Sequence, residues 1–261
     1  MKVSTPGSSI YLSIIIPVYN GGNQIAGSVK KIIDSVKDRG YTFEIILIDD
    51  GSLDNTGLEI TKLAENLPWI RSLFNEQNKG KGFSVRKGIL ASRGEYVLYT
   101  DADVAYPISQ VEDLLKCLQE GYDIALGSRA YEESRFILSP RDFRYIFQRH
   151  LIGRIFNLFV RAVLLEQIRD TQSGFKCFTR KAALHLFSKQ FHNDFSFDVE
   201  VLFLAQKLGY RIKEIPVVVE YTGGPSSVKL LRDSFRMFWE VWRIKFDYWR
   251  RCYRLDEVRR I

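Results

Sequence analysis

The sequence predicts an α/β protein built on a mostly parallel sheet with helices on its faces, and three observations predict it. Short apolar runs rich in Ile, Val and Tyr alternate with helical patterns through the first half of the chain. Polar clusters follow the same end of several runs, where such sheets gather ligands. The 261 residues are 46% hydrophobic and 13% aromatic, enough to cover both faces of one large sheet.

The elements follow in order. "LSIIIPVY" (12–19) is an unbroken apolar run, as a strand buried on both faces requires, and a helical pattern runs from about Gln24 to Lys37. "TFEIILIDD" (42–50) is a second strand, followed by a helix from about Asn55 to Asn66. "IRSLFNE" (70–76) is a third, with a helix near Phe83 to Ser92. "GEYVLYTDAD" is a fourth, and "YDIALGSR" (122–129) a fifth after a helix over Ile108–Glu120. Residues 140–165 read as one or two amphipathic helices, and "IRDTQSGFKCFTR" as a loop leading to a strand. "FSFDVEVLFLAQKLG" is a helix and "IKEIPVVVEY" one more strand. The loop "TGGPSSVK" then precedes a long helix from about Leu230 to Arg254.

Composition narrows the partners. A net charge of +7 suits phosphorylated ligands, nucleic acid or an anionic membrane surface equally. The three cysteines, Cys117, Cys177 and Cys252, are odd in number and show no metal-ligand spacing, which favours a reducing compartment. The first residues carry no long apolar region of a signal peptide. "LIGRIFNLFVRAVLL" is interrupted by Arg154 and Arg161, so no segment approaches the roughly 20 apolar residues of a membrane span. The protein is expected to be soluble or to lie on a surface, and the localisation favoured is peripheral, on the cytoplasmic side of a membrane.

The chemistry-bearing residues lie at the predicted strand ends. In "IDDGSLDNT", Asp50 is either a turn residue or an acceptor for the N–H of a nucleotide base. Neither G-x-G-x-x-G nor G-x-x-x-x-G-K-[ST] is present, which argues against a dinucleotide cofactor and a P-loop. "NKGKGFSVRKG" offers glycines and cations to a phosphate, Lys81 among them. Asp101 and Asp103 sit two apart after the fourth strand, and in an extended chain both carboxylates point the same way. A lone D-x-D is often a solvated turn. At a strand end facing a crevice, a divalent cation, Mg2+ or Mn2+, best explains two like charges, because it keeps positions free for substrate phosphates.

"IIIPVYN", "EIILIDDGSLDNT", "NKGKG", "GEYVLYTDAD", "IALGSR", "RDTQSGFKCFTRKAA" and "FSFDVEVLFLAQKLG" stand in the order seen in family 2 glycosyltransferases of the GT-A (Rossmann-like) fold, which this sequence resembles over about residues 11 to 248. Within that family it looks most like the polyprenyl-phosphate sugar synthases, and "IRDTQSGFK" with "FDVEVLFLAQ" is similar to the dolichyl-phosphate β-glucosyltransferases. The resemblance implies a catalytic unit over 1–229, with a nucleotide half at about 10–130 and an acceptor half at about 131–229, and a C-terminal basic aromatic helix over 230–261.

It also implies roles. Pro17 and Tyr19 line a uracil pocket, Asp50 binds the base, and Lys81 and Ala102 belong to the nucleotide-sugar site. Asp101 meets the ribose or the metal, Asp103 is the main metal ligand, Arg129 neutralises phosphate, and Lys229 comes over the diphosphate. Asp170 and Glu200 either orient glucose hydroxyls or serve as helix caps or ion-pair partners. Gly21, Ala105 and the stretched "SSVKL" depart from the family's pattern.

The implied acceptor is a dolichyl or undecaprenyl phosphate and the donor UDP-glucose; the alternatives are GDP-mannose as donor, or a saccharide hydroxyl as acceptor. A phosphate is already ionised near neutrality and needs cations rather than a base. Arg129, Arg135, Arg141, Arg144 and Arg149 are the candidates, with Arg141 and Arg144 favoured for the acceptor phosphate. In the last helix Phe235, Phe238, Trp239, Trp242, Phe246 and Trp249 recur at three- and four-residue steps, beside Arg236, Arg243, Arg250 and Arg254. That stripe packs on a core, joins a dimer or a membrane-protein partner, or lies at a bilayer surface, the last being favoured. Nucleic acid is not an expected partner, because the aromatics lie on helix stripes rather than on a strand face.

Overall fold

A computed structural model describes residues 9–138, 143–221, 230–250 and 252–253, and gives only the backbone for 143–150 and 230–236. Strands β1 (Leu12–Val18), β2 (Phe43–Asp49) and β3 (Ile70–Phe74) alternate with helices α1 (Ile25–Val36), α2 (Thr56–Asn66) and α3 (Lys81–Ala91). Next come β4 (Tyr96–Thr100), a 3₁₀ turn (Ile108–Gln110), α4 (Val111–Gln119), β5 (Ile124–Ser128) and β6 (Arg135–Ile137). The remaining elements are α5 (Phe143–Val163), β7 (Phe175–Thr179), α6 (Arg180–Ser188), α7 (Phe197–Lys207), β8 (Ile212–Pro216), β9 (Val218–Glu220) and α8 (Leu230–Trp249).

Seven strands form one sheet in the order β3-β2-β1-β4-β7-β5-β8. Among the described strands of this sheet, β7 alone runs antiparallel, to β4 on one side and β5 on the other. Alternate residues of a strand face opposite sides, and β1 shows the consequence. Ile15 enters a core with Val85, Phe156, Phe178, Phe197 and Ile244, while Leu12, Ile14 and Ile16 enter another with Val29, Leu114 and Val111. With both faces covered, every residue of β2 is buried, which is why its sequence reads as an apolar run without alternation.

Two expectations are corrected, and two elements are not anticipated. Residues 212–221 are two strands rather than one. Pro216, which cannot donate to a ladder, closes β8 on the large sheet, and β9 turns away to pair in parallel with β6. The small strand β6 and helix α6 carry too few residues, or too weak a pattern, to be expected from the sequence. The stretch 101–103 is not extended, as described below.

α8 is amphipathic. Val241 and Ile244 are fully buried, and Phe238 packs edge-on against Phe156 and Phe159 of α5. Trp239, Trp242, Phe246 and Trp249 face outward, between 51% and 83% exposed, and Leu151, Ile155 and Leu158 of α5 are exposed as well. Among the described residues, no helix is long and apolar enough to cross a membrane. The side chains of Phe235, Arg236, Arg149 and Arg254 lie outside the described residues.

Candidate active site

β2, β1 and β4 are neighbours and parallel, so the residues just past them meet at one edge of the sheet. Half-buried Pro17 sits in the last turn of pleat of β1, with Tyr19, 42% exposed, beyond it. Asp50 follows β2, Asp101 to Asp103 follow β4, and Lys81 opens α3. All the nucleotide-side candidates that lie in described residues therefore share one edge.

Asp50 is only 3% exposed, and its carboxylate is already engaged. Oδ1 accepts from Asn75 Nδ2 (2.8 Å) and Lys79 N (2.9 Å), and Oδ2 accepts from Gly80 N (2.9 Å). A carboxylate holding two backbone N–H groups is first a clamp on the 75–80 loop. Gly80 within that loop has φ +95°, in the region that favours glycine.

The acidic pair occupies a turn. Val104 N donates to Asp101 O at 3.1 Å, Ala105 N donates to Asp103 Oδ1 at 3.2 Å, and buried Val104 has φ +50°. A β-branched residue at positive φ is held there against its own preference, a kind of strain that collects at functional sites. The backbone between the two aspartates is thus a tight turn and not strand pleating. The cation beside them is Lys81, whose Nζ lies 2.6 Å from Asp101 Oδ1. Burial works against its charge, but Asp101, Asp198 and Asp103 outweigh burial and hold its pKa above the ordinary lysine value.

The donor set of this turn fits a hard divalent cation. It offers carboxylate oxygens only, and among the described residues no three His, Cys, Asp or Glu form a cage of their own. Mg2+ or Mn2+ takes such a pair and completes its shell from phosphates and water. Gly174 supports the fit: a Cβ there would collide with the Asp101 carboxylate, so the absence of a side chain keeps room for that group.

Arg129, past β5, is not a free phosphate ligand. Its Nε and Nη2 donate to the two carboxylate oxygens of Asp170 at 2.7 and 2.8 Å, and its backbone N donates to Oδ2 at 2.9 Å. Burial would raise the Asp170 pKa, but Arg129 overrides it and holds the carboxyl below the usual aspartate range. Asp170 is itself anchored, because Glu214 accepts the backbone N–H groups of Arg169 and Asp170. The Asp170 carboxylate is spent on Arg129, as in the ion-pair alternative, and the Nη1 end of the guanidinium lies outside that pair.

Three residues escape sequence reasoning. Lys176 of β7 is 1% exposed and gives Nζ to Asp198 Oδ1 (2.6 Å), Tyr99 Oη (2.9 Å) and the Ser173 carbonyl (2.5 Å). Tyr99 Oη also donates to Asp198 Oδ1. This network lies directly behind the acidic turn, since Tyr99 is two residues before Asp101. The available signal is a lysine inside the apolar strand "FKCF", where a charge must find a partner. Glu200 is fully buried and accepts from the backbone N–H groups of Phe191 and His192 at 2.9 Å each. Burial raises its pKa despite those donors. Arg135 is exposed on β6, while Lys229, Arg141 and the side chain of Arg144 lie outside the described residues.

Residues 13–187 match the family described as "Glycosyl transferase family 2". A dolichyl-phosphate β-glucosyltransferase of Dictyostelium discoideum is 37% identical over 254 residues, covering 93% of this chain and 76% of that protein. A human protein of the same name is 32% identical, covering 96% of this chain and 79% of its own. Glucosyl-3-phosphoglycerate synthase from Mycobacterium tuberculosis, in complex with Mn2+, UDP-glucose and phosphoglyceric acid, superposes with a TM-score of 0.64. At 19% identity, over 91% of this chain and 79% of that one, it establishes the fold. The chain therefore belongs to glycosyl transferase family 2 and is a glycosyltransferase of GT-A fold, similar over nearly its whole length to dolichyl-phosphate β-glucosyltransferases.

Proposed function

We propose that the protein is an inverting transferase that moves glucose from UDP-glucose to the phosphate of a polyprenyl phosphate, dolichyl or undecaprenyl, at the cytoplasmic face of a membrane. The observation that carries this reading is the state of the acids. Asp50 is engaged by Asn75, Lys79 and Gly80, Asp170 by Arg129, Asp198 by Lys176 and Tyr99, and Glu200 by two backbone N–H groups. None of the four stands poised as a base. Transfer to a hydroxyl requires one, whereas a phosphate monoester, with a second pKa of about 6, brings its own anionic nucleophile.

In this reading the uridine lies across the ends of β1 and β2, near Tyr19, and the diphosphate faces Lys81 and the Asp101–Asp103 turn. Mg2+ or Mn2+ held by Asp101 and Asp103 would supply charge neutralisation to the diphosphate. An oxygen of the acceptor phosphate bonds to C1 from the face opposite the leaving group. The bond from C1 to the UDP oxygen breaks with its electron pair, giving a β-glucosyl phosphate lipid and UDP. No proton changes hands at the nucleophile. Lys81 and the Nη1 end of Arg129 contribute positive charge where two anions must approach, and the fixed turn supplies orientation.

The outward rings of Trp239, Trp242, Phe246 and Trp249, beside exposed Arg243 and Arg250, suit a bilayer interface where a long lipid acceptor resides. A relative's name, dolichyl-phosphate β-glucosyltransferase, supports the acceptor, and the Mn2+ and UDP-glucose bound to a protein of the same fold support donor and metal. The reading is tested by incubating the protein with radiolabelled UDP-glucose, Mn2+ and dolichyl or undecaprenyl phosphate. Label is expected in the lipid phase, and its loss in Asp103→Ala; label that stays in water with both lipids contradicts the reading. Radiolabelled GDP-mannose in a parallel arm tests the donor.

A further inference from the structure

The segment Gln190–Asp194 lies between the donor edge and α8. Toward the donor edge, Asn193 O accepts from Phe83 N at 3.2 Å, and Gln190 Nε2 donates to Gly82 O at 3.0 Å and to His192 O at 2.7 Å. The fit is close enough that a Cβ on Gly80 or Gly82 would collide with Asn193. Lys81, paired with Asp101, sits inside this turn. Toward α8, His192 Nδ1 lies 2.6 Å from Glu240 Oε2, and its Nε2 lies 3.6 Å from Asp247 Oδ2. His192 and Glu240 are 7% and 8% exposed. Beneath them, Glu200 fixes the backbone of Phe191 and His192.

An apolar pair of similar volume would pack α8 on this segment at least as stably as a buried imidazole and carboxylate. What the polar pair adds is a set distance and direction. It ties the helix to a backbone stretch whose carbonyl receives the first turn of α3. The same helix turns Trp239 outward next to Glu240, so one side-chain pair joins the aromatic face to the donor turn.

We infer that His192 is a positioning residue for donor binding. By holding Glu240, it fixes Gln190–Asp194 against the Gly80–Phe83 turn and so sets where Lys81 meets the donor's diphosphate. The inference rests on the donor site proposed above. Its range is short, two contacts from His192 to the turn, and it requires no change of conformation elsewhere.

The test titrates the full chain with UDP in the presence of Mn2+ by calorimetry, as wild type, His192→Phe, His192→Asn and Glu240→Leu. Phe keeps the ring and removes the donor, whereas Asn can place Nδ2 where Nδ1 stood. H192F is expected to bind UDP roughly tenfold more weakly, the loss of one hydrogen bond to a charged group, and H192N to recover most of that. In turnover, the KM for UDP-glucose should rise about as much while kcat changes less than about twofold. A merely structural role would lower the melting temperature of H192F and leave UDP affinity unchanged, and that result overturns the inference. Should H192F fail to fold, E240L carries the same test from the other partner, with weakened UDP binding expected and wild-type affinity contradicting it. A wild-type protein that binds no UDP sinks the donor site and this role together, whereas equal binding by wild type and variants sinks this role alone.

Discussion

The ammonium of Lys81 stands 2.6 Å from Asp101 Oδ1, so the charge that reconciles the acidic turn in this structure belongs to the protein itself. A divalent cation entering the turn must share or displace that ammonium, and a nucleotide diphosphate gives Lys81 somewhere else to go. Lys81→Met is therefore expected to bind Mn2+ more tightly without nucleotide, by roughly fivefold, the scale of a partly exposed ion pair. It should bind UDP with Mn2+ more weakly. Mn2+ titration followed by electron paramagnetic resonance, with and without UDP, checks both. Unchanged Mn2+ affinity without nucleotide would show that Lys81 does not compete for the turn.

Lys176 and Asp198 present a different balance. Both are almost wholly buried, and Asp198 also receives the Tyr99 hydroxyl. Removing one partner leaves a charge with no water to replace it. Lys176→Met should destabilise the fold by about 3–5 kcal/mol in urea unfolding, and adding Asp198→Asn should recover part of that loss. A single-variant loss below about 1 kcal/mol would contradict the account.

Asp170 gives the sign of an acid dependence. Its folded pKa lies below the ordinary aspartate value because Arg129 overrides the effect of burial. Its stabilisation is therefore present above about pH 4, the unfolded value, and is lost as pH falls through the lowered folded value. Asp170→Asn should cost about 2 kcal/mol near neutral pH, and urea midpoints of wild type and variant should converge below about pH 4. A gap that stays constant into acid would remove the charge from the explanation.

The outward rings of α8 are separable from the fold. Trp239 is 70% exposed and Trp242 51%, so changing both to Ser should leave the melting temperature nearly unchanged. Sedimentation with vesicles containing anionic lipid should fall by about tenfold or more, since each ring carries over 1 kcal/mol of apolar contact to the bilayer. Equal sedimentation of wild type and double variant would leave these rings to a dimer or a membrane-protein partner.

What the sequence disclosed follows the range of the forces involved. β1, β2 and β4 are legible because burial on both faces forces an apolar run, and Asp50, Asp101 and Asp103 are legible because parallel strands deliver their ends to one edge. The placement of β7 between β4 and β5 is not legible, since antiparallel insertion is decided by packing far along the chain. Nor are the pairs Lys176–Asp198 and His192–Glu240, whose members lie 22 and 48 residues apart and meet only in the folded core. The acidic turn was legible in position and misleading in shape: spacing by two suggested pleating, whereas Val104 at positive φ makes a turn.

On the proposed reading the acceptor is already ionised, and among the described residues Asp50, Asp170, Asp198 and Glu200 are engaged rather than poised as a base. The most direct measurement offers the protein radiolabelled UDP-glucose and Mn2+ with either a polyprenyl phosphate or the polyprenol of the same chain length. Label is expected in the lipid phase with the phosphate and none above background with the alcohol. Glucose transferred to the polyprenol at a comparable rate would contradict it.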